Sequence, residues 1–418
     1  MGYYRMYEGV FTGSRYKPGT EFFYHLSVPD AEEPFGLYIS CDGQNAADEE
    51  ALMQLAEENL APHCVCIGVR PGRLKTESGI EKKMRADDYD PFSREYADFL
   101  LYELIPGLAA QYQFSISPSP DHHVIGGGSS GGICAFAAAW FHPEFFHRVY
   151  MSSPSFLAMG RGNEIPVLVR KYETKPIRVY EEYSEWEPDD YFGNSFLAAK
   201  EIALAMQFAN YDFRCKYFAG ERHCSRYLDF EEARSRMRLL WKEGPDYRIT
   251  APGNSARVRD IIPDGSRWEL CSTFPAPADV TREVYSSDSA MLYSGTPEDD
   301  VLYAAVIQQG KITEKRYVHG MLHTLPQVFP KGTIDLAIDE EDRLYVLTAI
   351  GIQCVRSFGL IDAILELPEA GVPERISFGK DDPDSLFIQM CGHVWHRKMR
   401  CRALTERPTV PRHVDYYD

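Results

Sequence analysis

The feature that most constrains the fold of this chain is a glycine-rich junction between an apolar strand and an apolar helix. Residues 125–133 read I-G-G-G-S-S-G-G-I, and an alanine-rich segment that ends near Trp140 follows them. So many glycines fit a turn in which the backbones of a strand and a helix approach closely, because bulkier residues would clash there. The stretch predicts a sharp strand–turn–helix unit of the kind that builds sheets flanked by helices.

The same junction contains the pattern G-x-S-x-G at residues 127–131. This pattern is typical of a nucleophile elbow, in which a serine occupies a strained turn and the next backbone N–H points toward a developing oxyanion. Two registers fit, because residues 128–132 also match and would make Ser130 the nucleophile. We favour Ser129, since that register leaves two glycines at the helix start for close packing and makes Ser130 the oxyanion donor.

The pattern by itself has simpler interpretations. A glycine-rich structural turn or a loop that cradles phosphate would carry similar residues. The phosphate interpretation is weakened because no G-K-[ST] follows and because the spacing differs from that of the dinucleotide fingerprint.

Strand-like and helix-like segments alternate between residues 36 and 242. The strand-like runs are continuously apolar, as strands buried on both faces require, and the helical segments keep apolar residues on one face. We therefore predict an α/β fold with a doubly wound, mostly parallel sheet. The predicted strands are 22–29, 36–41, 63–69, 124–125, 148–151, 175–183 and 214–218. The predicted helices are 49–60, 93–112, 133–142, 195–210 and 230–241.

The pattern changes after about residue 245. Helical periodicity stops, and short apolar strands separated by polar turns continue to residue 398. Two acidic turns that each lead into an apolar strand begin at Asp339 and Asp381, 42 residues apart, which is within the spacing of propeller blades. We predict an α/β domain over residues 1–245 and an antiparallel all-β domain over residues 246–418.

A serine nucleophile needs a histidine to take its proton and a carboxylate to orient that histidine. In α/β-hydrolases these groups follow the order serine, acid, histidine along the chain. His223 lies in the predicted loop after the last strand of the α/β half, and Glu187 follows the preceding strand. Because this stretch is rich in acids, Glu187 could instead be a solvated surface charge. Three other acids compete for the role: Glu182, Glu185 and Asp189.

A turn with the sequence D-G-Q at residues 42–44 follows an early predicted strand. In a serine hydrolase the second N–H of the oxyanion hole comes from a loop in this position. We predict that Gly43 supplies it, beside the N–H of Ser130.

Charge and composition limit the partners of the chain. The 418 residues carry a formal net charge of −18, which disfavours nucleic acid and anionic membranes. No apolar run approaches the roughly 18 residues of a membrane span, and residues 1–8 lack the apolar core of a secretory signal. The ten cysteines are spread thinly and complete no zinc set, so we expect free thiols and a cytoplasmic protein.

Residues 20–242 resemble the enterochelin-esterase-like α/β-hydrolases of the esterase-D superfamily. Beside the D-G-Q turn and His223 after Gly220, the resemblance rests on three kinds of segment: the elbow with its helix at 128–136, the helical segment 99–106, and the short motifs at 143–146 and 192–194. It implies an α/β-hydrolase fold with Ser129 as the nucleophile. Two positions depart from the family pattern. The family's Asp-Gly before the acid reads Tyr183-Ser184 here, and its glycine before the histidine is Arg222.

Residues 265–400 resemble the gluconolactonase and regucalcin-like β-propellers. The matching segments are 339–348, 351–353 and 376–388. Too few residues remain for six blades of roughly 40–50 residues each, so the resemblance implies about half a propeller. The metal-binding aspartate of that family falls on Lys331, or on Ile334 if no gap is allowed. Asp335 could substitute only by shifting, so we expect no lactonase metal site. Since a half propeller exposes sheet edges, we expect two β domains to pair as a homodimer, or the half to dock on the hydrolase domain.

These observations predict a serine-dependent carboxylic ester hydrolase that needs no cofactor. Its partner is a small-molecule ester of a sugar, a phenolic acid or a siderophore-like compound. Two alternatives from other classes stay open. One is a metal-dependent lactonase with its chemistry in the β domain, and the other is a non-catalytic binding protein on a hydrolase scaffold.

Overall fold

The computed structural model describes residues 4–157, 162–275, 280–313 and 316–404. Two compact units make up the chain. The first runs to Val167 and resumes from Lys175 to Pro252, and the second combines Leu168–Thr174 with the chain from Gly253 onward. The boundary predicted after residue 245 lies close to the one observed, but the assignment of Leu168–Thr174 to the second unit was not predicted. No local pattern marks a segment that packs with residues far along the chain.

The strands and helices of the first unit are numbered along the chain. The strands are β1 (Tyr4–Phe11), β2 (Thr20–Pro29), β3 (Gly36–Cys41), β4 (Cys64–Val69), β5 (Arg73–Lys75), β6 (Glu81–Lys83), β7 (His123–Gly128), β8 (Arg148–Ser152), β9 (Arg178–Trp186), β10 (Asp189–Asp190), β11 (Gly193–Asn194) and β12 (Asp212–Arg222). The helices are α1 (Ala46–Glu57), α2 (Arg85–Tyr89), α3 (Glu95–Phe99), α4 (Ile105–Tyr112), α5 (Ser130–Phe141), α6 (Ile165–Lys171, which leads into the second unit), α7 (Ser195–Phe208) and α8 (Phe230–Leu240). A π-helical turn at Leu100–Leu104 joins α3 to α4.

A sheet of ten described strands forms the centre of this unit, in the order β12-β9-β8-β7-β3-β4-β2-β5-β6, with β1 paired to β2. The strands from β12 to β4 run parallel, and β2 joins them antiparallel through β4. Every residue of β3, β4 and β7 is buried, as the continuous apolar runs required. The predicted α/β architecture with a mostly parallel sheet is confirmed.

Helices cover both faces of the sheet. Tyr150 packs in a core cluster with residues of α1 and α8, whereas the next residue of β8, Met151, lies against Gly132 of α5. Successive side chains of a strand point to opposite faces, so α5 lies on the face away from α1 and α8. The helix α5, which begins directly after the elbow, therefore packs on one face of the sheet, and its residues from Ser130 to Trp140 are buried.

Three outer strands were not predicted. β1, β5 and β6 are short or half-exposed, and β1 alternates between exposed and partly buried residues. Such edge strands take their conformation from pairing with a neighbour, and their own sequences carry little apolar periodicity.

Besides the end of α6, the described part of the second unit contains one short helix and β-strands. The helix is α9 (Ala256–Arg259), and the strands are β13 (Glu269–Cys271), β14 (Glu283–Tyr285), β15 (Met291–Gly295), β16 (Val301–Gln308), β17 (Lys311–Ile312), β18 (Tyr317–Met321), β19 (Asp335–Ile338), β20 (Leu344–Thr348), β21 (Gly351–Val355), β22 (Ile361–Leu365), β23 (Pro373–Phe378), β24 (Ser385–Met390) and β25 (His393–Lys398). The helix α9 is a small departure from the all-β expectation.

In the part of the second unit that the structure describes, these strands form three antiparallel sheets. Two have four strands each, β19 to β22 and β23 to β25 with β13, and the third contains β14 to β18. β13 pairs with β25, so the first strand of the unit completes the sheet of its last three strands. The all-β prediction is confirmed, while the arrangement of the sheets as propeller blades stays a prediction.

Candidate active site

The junction between β7 and α5 is a strained turn centred on Ser129. Its backbone has φ 56° and ψ −124°, a conformation that residues with a side chain rarely adopt. The Ser129 N–H donates to the carbonyl of Ser152 on the adjacent strand at 2.8 Å. A Cβ atom on Gly127 would lie 2.5 Å from the carbonyl carbon of Gly131, so glycine is required where strand and helix meet. The turn has the geometry of a nucleophile elbow.

The strain distinguishes the two serines of the motif. Ser129 holds the positive φ, whereas Ser130 is the first residue of α5 and is buried. An elbow exposes the side chain of the strained residue and directs the next N–H toward the same space. The geometry therefore favours the register in which Ser129 carries the reactive hydroxyl.

Glu187 and His223 meet at the carboxyl edge of the sheet. His223 Nδ1 donates a short hydrogen bond to Glu187 Oε2, and the Glu187 side chain is only 1% exposed. The other carboxylate oxygen of Glu187 accepts from Ser153 Oγ at 2.6 Å and from the Ser184 N–H at 2.9 Å. Three donors thus hold this carboxylate in one orientation, and it holds the imidazole in turn.

The competing carboxylates lie elsewhere. Glu182 is buried against the Arg236 guanidinium at 3.2 Å, and Glu185 accepts from the Gly220 N–H at 2.7 Å. Asp189 is exposed in the short strand β10. Of the four acids considered from the sequence, Glu187 is the one that contacts His223.

The pKa values of this pair shift in opposite directions. Burial lowers the pKa of His223, but contacts with Cys224 and Glu187 outweigh it and raise the pKa to about 10. Burial raises the pKa of Glu187, but hydrogen bonds from His223, Ser153 and the Ser184 backbone bring it below its usual value. The pair therefore favours an imidazolium beside a carboxylate, which is the charge state that forms when a histidine takes a proton from a nucleophile.

The hydroxyl of Ser129 is engaged by a second serine. Ser129 Oγ and Ser155 Oγ share a hydrogen bond of 2.8 Å, and the described ranges contain no hydrogen bond from Ser129 to His223. Catalytic hydrogen bonds often tighten only when substrate is bound. Ser153 and Ser155 follow β8 in the segment S-S-P-S, and the sequence analysis assigned them no role although they lie at the carboxyl edge of the sheet.

The geometry corrects the role predicted for Gly43. Its N–H donates to the Val69 carbonyl at 3.0 Å, in continuation of the pairing between β3 and β4, and is not free to meet an oxyanion. The preceding residue, Asp42, accepts two hydrogen bonds of 2.7 Å from Arg85, which also donates to the Gly128 carbonyl at 3.3 Å. This arginine braces the early loop against the elbow, and no local motif had marked it.

Three further observations bear on the predictions from the sequence. All ten cysteines are free thiols, among them Cys224 beside His223. Within the described residues, no group of three or more histidines, cysteines, aspartates and glutamates is arranged to hold a metal ion. Across the same ranges, the structure contains no helix that is long and apolar enough to cross a membrane.

Comparison with known proteins shows what the chain is similar to. The family model "Esterase: Putative esterase" matches residues 20–212, just under half of the chain and most of the first unit. The chain is a carboxylic ester hydrolase. None of the curated proteins matches it in sequence at a significant level.

Several solved structures are similar to this esterase. The BES protein from Bacillus cereus has 17% identity and a TM-score of 0.41, covering 56% of this chain and 94% of its own. The ferric enterobactin esterase from Salmonella typhimurium has 17% identity and a TM-score of 0.44, covering 58% of this chain and 60% of its own. An IroE-like serine hydrolase from Shewanella oneidensis has 17% identity and a TM-score of 0.44, covering 58% and 81%.

Proposed function

We propose that this esterase cleaves carboxylic esters with a triad of Ser129, Glu187 and His223. The observation that carries the proposal is the hydrogen bond between Glu187 and His223, at the same sheet edge as the strained turn of Ser129. The three residues also follow the order nucleophile, acid, histidine along the chain.

In the proposed reaction, Ser129 Oγ attacks the ester carbonyl carbon while His223 takes the hydroxyl proton. The tetrahedral intermediate collapses, the C–O bond to the alcohol breaks, and His223 returns the proton to the leaving alcohol. Water then attacks the acyl-serine in the same way and releases the acid and the free serine. Glu187 orients His223 and offsets its positive charge.

The Ser130 N–H is the donor that we propose for the oxyanion, because it follows the nucleophile at the start of α5. A second donor must come from a group other than the Gly43 N–H. Ser155 Oγ lies 2.8 Å from Ser129 Oγ. In the proposed reaction this hydrogen bond breaks, and the Ser129 hydroxyl donates to His223 instead.

The substrate class proposed from the family resemblance is an ester of a sugar, a phenolic acid or a siderophore-like compound. Three features of the sequence support it: the D-G-Q turn, the elbow helix and the position of His223. The second unit, with its three antiparallel sheets, is proposed to be a partial propeller.

The test is hydrolysis of p-nitrophenyl acetate by the wild type and by Ser129→Ala, Ser130→Ala and Ser155→Ala. We expect Ser129→Ala to lose at least about 10³-fold in kcat, because the nucleophile is gone. Ser130→Ala keeps its backbone N–H and Ser155→Ala keeps the nucleophile, so both should retain most of the activity. Loss in Ser130→Ala alone would move the nucleophile by one residue, and full activity in Ser129→Ala would refute the triad.

A further inference from the structure

A cavity of about 320 Å³ lies beside the early loop of the first unit, away from Ser129 and His223. Strands β1, β2 and β4 form its floor and the turn at residues 43–44 forms one wall. A Cβ atom on Gly68 would lie 2.5 Å from the Gln44 nitrogen, so the absence of a side chain there lets the turn fold over the strand. The cavity is large enough for part of a small organic molecule.

Two polar side chains of this cavity have an atom with no hydrogen-bond partner among the described residues. The Arg70 guanidinium makes neither a hydrogen bond nor an ion pair, and its stem packs on Gly43, where an added Cβ would lie 3.3 Å from Arg70 Nε. His25 is 8% exposed and its Nδ1 has no hydrogen-bond partner, while its Nε2 lies 3.0 Å from Ser27 Oγ. Buried polar atoms are nearly always satisfied, so an orphaned one facing a cavity points to a ligand.

The charges around the cavity restrict the ligand. Arg70 supplies a planar cation that matches a carboxylate in two-point geometry. Glu8 lies 3.8 Å from His25 Nδ1 at the rim, and Glu49 lies 3.7 Å from His25 Nε2 beneath it. These two carboxylates disfavour a doubly charged phosphate, so a single carboxylate is the anion that suits the Arg70 guanidinium here.

The cavity is connected to the site of hydrolysis through residues 42–44. Asp42 reaches the elbow, since a Cβ on Gly131 would lie 2.9 Å from its Oδ2, and the next residue supports Arg70. Ser129 and Arg70 each follow the carboxyl end of a parallel strand, with β3 between those strands. Two strand spacings separate such positions by roughly 10 Å.

We propose that this cavity is a substrate subsite that binds a carboxylate about 10 Å from the scissile ester carbonyl. The Arg70 guanidinium binds both oxygens of the carboxylate, and the exposed Glu8 side chain swings out. The hydrocarbon between the two ends crosses the turn at residues 42–44. The inference rests on the proposed function, because it takes Ser129 as the point of attack.

The experiment compares esters that differ in one terminal group. The p-nitrophenyl monoester of suberate and p-nitrophenyl octanoate have acyl chains of equal length, and monoesters of glutarate and sebacate vary the distance. The values of kcat/KM are measured for the wild type, Arg70→Gln and Arg70→Lys. Lys75→Gln is the matched control, because Lys75 is an exposed cation of the neighbouring strand β5 that pairs with Glu21 and does not line the cavity.

We expect kcat/KM of the wild type to be about tenfold or more higher for a diacid monoester than for its neutral counterpart. A hydrogen bond to a charged group contributes enough free energy for a factor of this size. Arg70→Gln should abolish the preference, which is measured as the ratio of kcat/KM for the suberate monoester to kcat/KM for the octanoate ester. Arg70→Lys should keep part of it, and Lys75→Gln all of it.

A wild type without preference at any chain length overturns the subsite, as does an unchanged preference in Arg70→Gln. The triad is judged separately by the loss of octanoate hydrolysis in Ser129→Ala. If that variant is inactive while the preference is missing, only the subsite fails. If Ser129→Ala hydrolyses both esters, the triad fails whatever Arg70 does.

Discussion

Ser129 holds a backbone conformation that costs of order 1–3 kcal/mol for a residue with a side chain. Two contacts offset this cost: the hydrogen bond from the Ser129 N–H to the Ser152 carbonyl, and the close packing of Gly127 on Gly131. The strain presents the hydroxyl at the sheet edge. The same edge receives Glu187 and His223 from two later loops, so one residue's geometry defines where the chemistry is proposed to occur.

At this scale the raised pKa of His223 leads to a pH prediction. A histidine acts as a base only when neutral, so a pKa raised to about 10 places the acid limb of kcat/KM well above the ordinary value of 6.5. Glu187→Gln removes a group that raises this pKa, and the limb should move to lower pH. We also expect kcat to fall by about 10²–10⁴-fold, because the imidazole loses its orientation.

Glu185→Gln is the control for this measurement, since Glu185 lies two residues earlier, at the end of β9, and accepts from the Gly220 N–H. It should leave both the pH profile and kcat close to those of the wild type. If the acid limb of kcat/KM lies at the same pH in Glu187→Gln as in the wild type, Glu187 does not raise the pKa of His223 and the prediction is wrong.

At the scale of elements, a buried ion network joins α8 to α1 and β9. The Arg236 side chain is fully buried and donates to Asp48 at 2.8 Å and to Glu182 at 3.2 Å. Asp48 also accepts from Tyr38 at 2.6 Å and from Tyr150. The network explains why Glu182, a candidate acid in the sequence, serves the packing of helices on the sheet.

Replacing Arg236 should therefore destabilise the first unit strongly. Arg236→Leu leaves two buried carboxylates without their cation, and we expect the free energy of unfolding to fall by about 3–5 kcal/mol in urea denaturation. Arg234→Leu on the same helix is the matched control, because Arg234 pairs with the half-exposed Glu58. Its effect should stay within about 1 kcal/mol, and an equal loss in both variants would contradict the role given to the network.

At the scale of the whole molecule, the chain combines an esterase unit with an all-β unit. The β unit contains three antiparallel sheets among its described residues. If these are the blades of half a propeller, edges remain that a second chain can cover.

We therefore expect a homodimer formed through the β domain. Light scattering coupled to size-exclusion chromatography should give twice the chain mass of 47.6 kDa. Dilution should lower the measured mass toward that of the monomer. A mass of 47.6 kDa at all concentrations would contradict pairing and leave docking within one chain as the alternative.

Local pattern alone determined most of the first unit. Continuous apolar runs and one-sided helices predicted β3, β4, β8, α5 and α8 within a few residues of where they lie. Those signals are local. A strand buried on both faces needs a continuous run of apolar residues, and a helix buried on one face needs apolar residues at helical spacing. The strained turn of Ser129 was predictable for the same reason, since only small neighbours allow it.

Tertiary structure decided what depends on residues distant in the chain. It brought Glu187 rather than Glu182 or Glu185 to His223, and it joined the Gly43 N–H to Val69. It also placed segment 168–174 with the second unit, and it brought the Arg70 guanidinium and His25 Nδ1 to one cavity with no hydrogen-bond partner among the described residues. Hydrogen-bond partners and charge pairs form between side chains that no sequence period relates, so these features follow only from the folded chain.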